Sequence, residues 1–162
     1  MITMTKAQMI GQIFIYILTI VVFGIILLYG YNAIKSMNSK ADQVLLIQLK
    51  KQIADAVQKT DYGSVTQQNL LLPNEFNELC FVDLGKSANN DLNDEQPLVY
   101  DSWKDNVHVN MFLIKDKTDV DSDYIGSIKL IDSSGYFCTK AFQGKVSLRL
   151  EGKGKYVELS AW

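Results

Sequence analysis

The chain has 162 residues, 16 basic and 18 acidic side chains and a formal charge of −2, enough for one modest domain beside an anchor. The charge is unevenly placed: 15 of the 16 basic and all 18 acidic residues lie from Lys35 onward, which leaves that part at −3. An acidic domain without a basic run lacks the Lys and Arg contacts that hold phosphate, so DNA and RNA are excluded as partners.

Residues 7–34 contain no Asp, Glu, Lys or Arg. The apolar run from Gln8 reads Met-Ile-Gly-Gln-Ile-Phe-Ile-Tyr-Ile-Leu-Thr-Ile-Val-Val-Phe-Gly-Ile-Ile-Leu-Leu up to Tyr29. About 20 apolar residues in a helix match the hydrocarbon thickness of a bilayer. A core helix would show a polar face, and none is visible here. A cleaved secretory signal would have a shorter apolar core and a small-residue site after it, whereas this run passes directly into Ile34-Lys35. The pattern predicts a single transmembrane helix over residues 8–34 behind a seven-residue tail, with membrane lipid as a partner. Tyr29 and Tyr31 stand at its C-terminal end, where amphipathic rings favour the interface.

Residues 35–59 contain no Pro or Gly. Leu46, Leu49, Ile53 and Val57 recur at three- and four-residue steps, with Gln48, Lys51, Asp55 and Gln58 on other faces. That spacing predicts an amphipathic extension over residues 35–60, ended by Asp61-Tyr62-Gly63-Ser64. The simplest reading is one helix over residues 8–59, roughly 80 Å long at 1.5 Å per residue. Gly24 and Gly30 are candidate bends and residues 36–39 a candidate break.

Beyond it, residues 61–162 form a head of about a hundred residues, sufficient for one thin core. Past a polar stretch with Pro73 the period changes from 3.6 to 2. Strands are expected at 80–84, 107–114, 127–132, 136–142, 145–150 and 156–161, most clearly where Val146, Leu148 and Leu150 alternate with Lys145, Ser147 and Arg149. Glu151-Gly-Lys-Gly154 reads as a hairpin loop, Ser133-Ser134-Gly135 as a turn, and residues 85–96 as an exposed polar loop. The expected class is α+β: a long N-terminal transmembrane helix packed on a C-terminal antiparallel sheet.

Both cysteines, Cys80 and Cys138, fall in the head. In an oxidising exterior they would form a disulfide; otherwise they are two separately buried thiols. His108 is the only histidine, in Asp105-Asn-Val-His-Val, and reads as a surface or packed residue. Nothing around either cysteine resembles a nucleophile signature. Asp119, Asp121 and Asp123 have the spacing of the first three ligands of a calcium loop. Tyr124 and Leu130, however, stand where that loop needs Gly and Glu. A loose surface calcium site or a solvated acidic loop is left. No catalytic residue, resident metal or cofactor is expected, and the protein is read as a non-enzyme.

This layout resembles the type IV pilin superfamily, particularly the archaeal pilin-like proteins with class III signal peptides. Those have a short tail with a basic residue, a peptidase site, a hydrophobic helix of about fifty residues and a β-rich head. Lys6-Ala7-Gln8 resembles the small-residue cleavage junction, which implies a cut between Ala7 and Gln8 and a cytoplasmic leader of residues 1–7. Gln12 falls at the fifth mature position, where the family often carries Glu to pair with a neighbouring subunit's amino terminus. The amide offers a neutral hydrogen bond instead, in keeping with a minor or membrane-retained role. The resemblance implies a structural subunit assembled through its N-terminal helix, with copies of itself or related pilins, into a surface filament or pseudopilus. It also implies a single-pass cell-membrane protein with the head outside. The alternative is a permanently anchored ectodomain that binds a ligand or partner protein.

Overall fold

A computed structural model describes the backbone of residues 6–162, with side chains from Gln12 onward apart from 38 and 39. Helix α1 spans Lys6–Lys59, unbroken through Gly24, Gly30 and residues 36–39. The chain divides into two compact units, Met1–Ala41 and Asp42–Trp162.

In the first unit every described side chain of residues 12–37 is exposed, and only Gly24 is half-buried. The most apolar stretch of the helix has a mean hydropathy of 2.7 with none of it buried, so it is long and apolar enough to cross a membrane. Its one hydroxyl between Tyr16 and Tyr29 is accounted for locally: Thr19 Oγ1 donates to the Ile15 carbonyl at 2.7 Å. A polar group held this way can enter lipid without being left unpaired.

In the second unit the rest of α1 is followed by β1 (Val65–Leu71), β2 (Glu78–Val82), α2 (Asp91–Glu95) and α3 (Pro97–Lys104). Then come β3 (Met111–Asp116), β4 (Asp119–Asp123), β5 (Ile128–Leu130), β6 (Tyr136–Lys140), β7 (Lys145–Gly152) and β8 (Val157–Ala161). They form two four-stranded sheets, β1-β7-β8-β5 and β4-β3-β2-β6, rather than one. All pairs are antiparallel except β5 with β8, where Ile128 lies opposite Val157 and Leu130 opposite Leu159.

The main core is the space these sheets share with the α1 stripe. Leu49, Ile53 and Val57 meet Leu70, Leu148 and Leu150 of the first sheet and Leu79, Phe81, Met111 and Leu113 of the second. Helical spacing of the apolar residues puts that stripe on one face, and period-2 alternation in β7 supplies its partner. The second sheet is covered on both faces. Cys80, Val82, Phe112 and Ile114 point the other way, onto Leu92 of α2 and Val99 and Trp103 of α3. The stretch expected as an exposed loop is therefore partly helical, and Leu92 is fully buried.

The passage from helix to sheet is tight. Gly63 adopts φ +78°, its N–H donates to the Gly152 carbonyl at 2.8 Å, and the Gly152 N–H donates to Ser64 at 2.9 Å. A side chain at Gly152 would overlap the Asp61 carbonyl, so the strand needs glycine here for close approach rather than for a turn. On the outer face Arg149 and Lys153 both reach Glu151, and Lys153 also reaches Glu158 at 3.2 Å. The hydrogen bond from Lys153 holds the Glu151 carboxyl below the usual glutamate range. Its small stabilising contribution is thus present above the unfolded-state value and lost as pH falls through the lowered one.

Candidate functional site

The leader residues Met1 to Thr5, and the side chains of the expected processing positions Lys6, Ala7 and Gln8, lie outside the described residues. Gln12 is exposed on α1.

Cys80 and Cys138 sit directly opposite one another on β2 and β6 and form a disulfide with a Cα–Cα distance of 4.0 Å. The Glu78 carboxylate lies close to both sulfurs. Neither sulfur is a thiolate ligand while they are bonded to each other, and Gln96 Nε2 donates to Glu78 Oε2 at 2.6 Å. The bridge closes a separation of 58 residues, which corresponds to about 4 kcal/mol in the chain-entropy model. Reduction should therefore lower the denaturant midpoint of the head clearly. An unchanged midpoint would show that sheet pairing alone holds β2 to β6.

The three aspartates of the calcium-like spacing belong to the edge strand β4, not to a loop. Lysines already neutralise them. Lys50 Nζ lies 2.9 Å from Asp121 and 3.9 Å from Asp123, and Lys115 lies 3.3 Å from Asp119. Hydrogen bonding to Asp119 raises Lys115 above the usual lysine range. The Lys50 ammonium thus stands where a loosely held calcium would have to sit, and it ties α1 to β4.

His108 is exposed and stacks on Tyr124, with ring centroids 4.2 Å apart and an interplanar angle of 29°. The two rings lie on a cleft of about 300 Å³, at the lower end of the size of ligand sites. The cleft is built where β2, β3, β4 and β5 come together. Asn110, only 2% exposed, is its fixed wall. Its side-chain N–H donates to the Gly126 carbonyl at 2.7 Å, and its Oδ1 accepts the Ile125 N–H at 3.0 Å. Its backbone N–H donates to Asp123 and its carbonyl accepts Val82, each at 3.1 Å. With both ends of the amide and both backbone groups engaged, Asn110 ties the ends of β2 and β4 to the connection that leads into β5.

Asp83 also lines the cleft and is 4% exposed. Its Oδ1 accepts the Gly85 N–H at 2.9 Å, and its own N–H donates to the Gly135 carbonyl at 2.9 Å. Among the described residues no Lys, Arg or His forms an ion pair with it. Sequence reasoning missed both Asp83 and Asn110. The only signal for them is a polar residue at each end of an apolar strand, which marks many ordinary turns. A larger groove of about 580 Å³ runs between α1 and the free edge of β1, lined by Gln48, Lys51, Asp55 and Thr66 among others, but no charged residue lining it is buried.

No protein-family model matches the chain, and neither does any curated protein or solved structure.

Proposed function

We propose that the protein is a pilin-like structural subunit, held in a membrane by α1 and assembled through that helix into a surface filament or pseudopilus. The observation that carries this reading is the double use of one helix. Residues 12–37 present apolar side chains with no burial, while Leu49, Ile53 and Val57 of the same helix lie in the core of the head. An apolar surface of that extent is not left facing water. Lipid covers it first, and the helices of neighbouring copies or related pilins replace lipid on assembly. The partners are therefore membrane lipid and like subunits. The disulfide supports a head on the oxidising side, and the reading includes no catalytic step.

Processing tests it. Mass spectrometry of the native mature protein should find Gln8 as the first residue. Ala7→Phe should block that cut while leaving membrane insertion intact, since the span is unchanged. An intact Met1 terminus in mature protein would remove the filament reading. The second reading, a permanently anchored ectodomain with a ligand or protein partner, would then stand, and the cleft at Asp83 is the feature that favours it.

A further inference from the structure

We infer that the cleft between Asp83 and the His108–Tyr124 pair binds a small organic cation, a guanidinium or primary ammonium group, with Asp83 as its counter-ion. The inference is independent of whether the subunit polymerises.

The turn explains only half of Asp83. Accepting the Gly85 N–H needs one oxygen, and an asparagine would do that equally well. The carboxyl group brings a second acidic oxygen, in a residue only 4% exposed and without a cationic partner among the described residues. The only fully enclosed side-chain nitrogen or oxygen atoms without partners among those residues are Thr66 Oγ1 and Trp103 Nε1. Among the described residues the second Asp83 oxygen takes no hydrogen bond, and the residue lines the cleft. An uncompensated buried charge is costly, and a guest of opposite sign removes that cost.

The rest of the cleft suits a flat or compact cation. Its volume of about 300 Å³ admits a head group and a short stem. The stacked His108 and Tyr124 rings both line it, aromatic rings attract cations, and a guanidinium is planar and weakly hydrated. Lys129, the one cation on the wall, is turned to the Tyr156 ring, with Nζ 4.4 Å from its centroid. A neutral sugar would use the hydroxyl-accepting oxygen but leave the charge uncompensated.

The test uses the full chain, isotope-labelled in detergent micelles at low salt, titrated with methylguanidinium. Saturable shifts of the Gly85, Gly126 and Ser127 amides are expected. Asp83→Asn should keep the fold, because the amide oxygen still accepts from Gly85, yet weaken binding by about tenfold or more. His108→Ala, at an exposed position, should weaken it by a few-fold without touching the turn. A Gly-Arg-Gly amide that binds more tightly than methylguanidinium would identify a polypeptide side chain as the guest; equal affinity would identify a free cation, and both results support the site. No saturable shift, equal binding by Asp83→Asn, or shifts with methyl glucoside in place of the cation would overturn it.

Discussion

A chain that begins at Lys35 should remain in solution without detergent, whereas the full chain should partition entirely with membranes. The Leu, Ile, Val and Phe side chains between Ile13 and Leu28 are all exposed on α1. At about 0.3–0.6 kcal/mol each they favour insertion by roughly 4–8 kcal/mol in total. The backbone adds no penalty, because a helix satisfies its own polar groups. Removing that segment takes nothing from the head. The unit Asp42–Trp162 holds its own core, and the α1 residues that enter it, Leu49, Ile53 and Val57, are retained. Fractionation of the two chains checks this directly. The full chain recovered in the supernatant without detergent would sink the anchor, and with it the assembly proposed above.

The parts of this fold that are legible in the sequence are those where one face is apolar and the other is not. Leu46, Leu49, Ile53 and Val57 declare a helix stripe, and the alternation of Val146, Leu148 and Leu150 declares a half-buried strand; both lie where that reasoning puts them. The second sheet breaks the rule because it is buried on both sides. Leu79 and Phe81 face one core while Cys80 and Val82 face the other, so β2 reads as a plain apolar run and does not reveal that helices cover it. Those helices are short, and Leu92, Val99 and Trp103 are spaced too sparsely among polar residues to signal burial.

Edge strands hide for the opposite reason. In β1 only Leu70 is buried, and β4 is three aspartates alternating with Val120 and Ser122, a composition that suits loops better than sheets. The spacing of Asp119, Asp121 and Asp123 was informative, but as the period of a strand's charged face rather than as a metal loop. The cleft was invisible for a further reason: Asp83, His108, Asn110 and Tyr124 are brought together at one end of three neighbouring strands of the second sheet, β2, β3 and β4, and nothing in their spacing along the chain predicts that pairing.

Replacing Ile53 by aspartate should unfold the head, while the same change at Ile47 should leave it folded. The two residues share one helix, but Ile53 is 2% exposed in the core and Ile47 is 66% exposed to solvent. At position 53 a carboxylate would replace an apolar side chain among Leu, Val and Phe residues from both sheets. Neither water nor a cation is available there, and the expected loss exceeds about 4 kcal/mol. At position 47 the carboxylate stays in solvent and the change falls within about 0.5 kcal/mol. The milder Ile53→Val gives a graded control, with an expected loss of about 0.5–1.5 kcal/mol for one deleted methylene. Denaturant unfolding of the chain beginning at Lys35 measures all three. Equal tolerance at 47 and 53 would mean that Leu49, Ile53 and Val57 of α1 do not share the core of the head. A clear difference means that the part of α1 from Asp42 to Lys59 folds as part of the head.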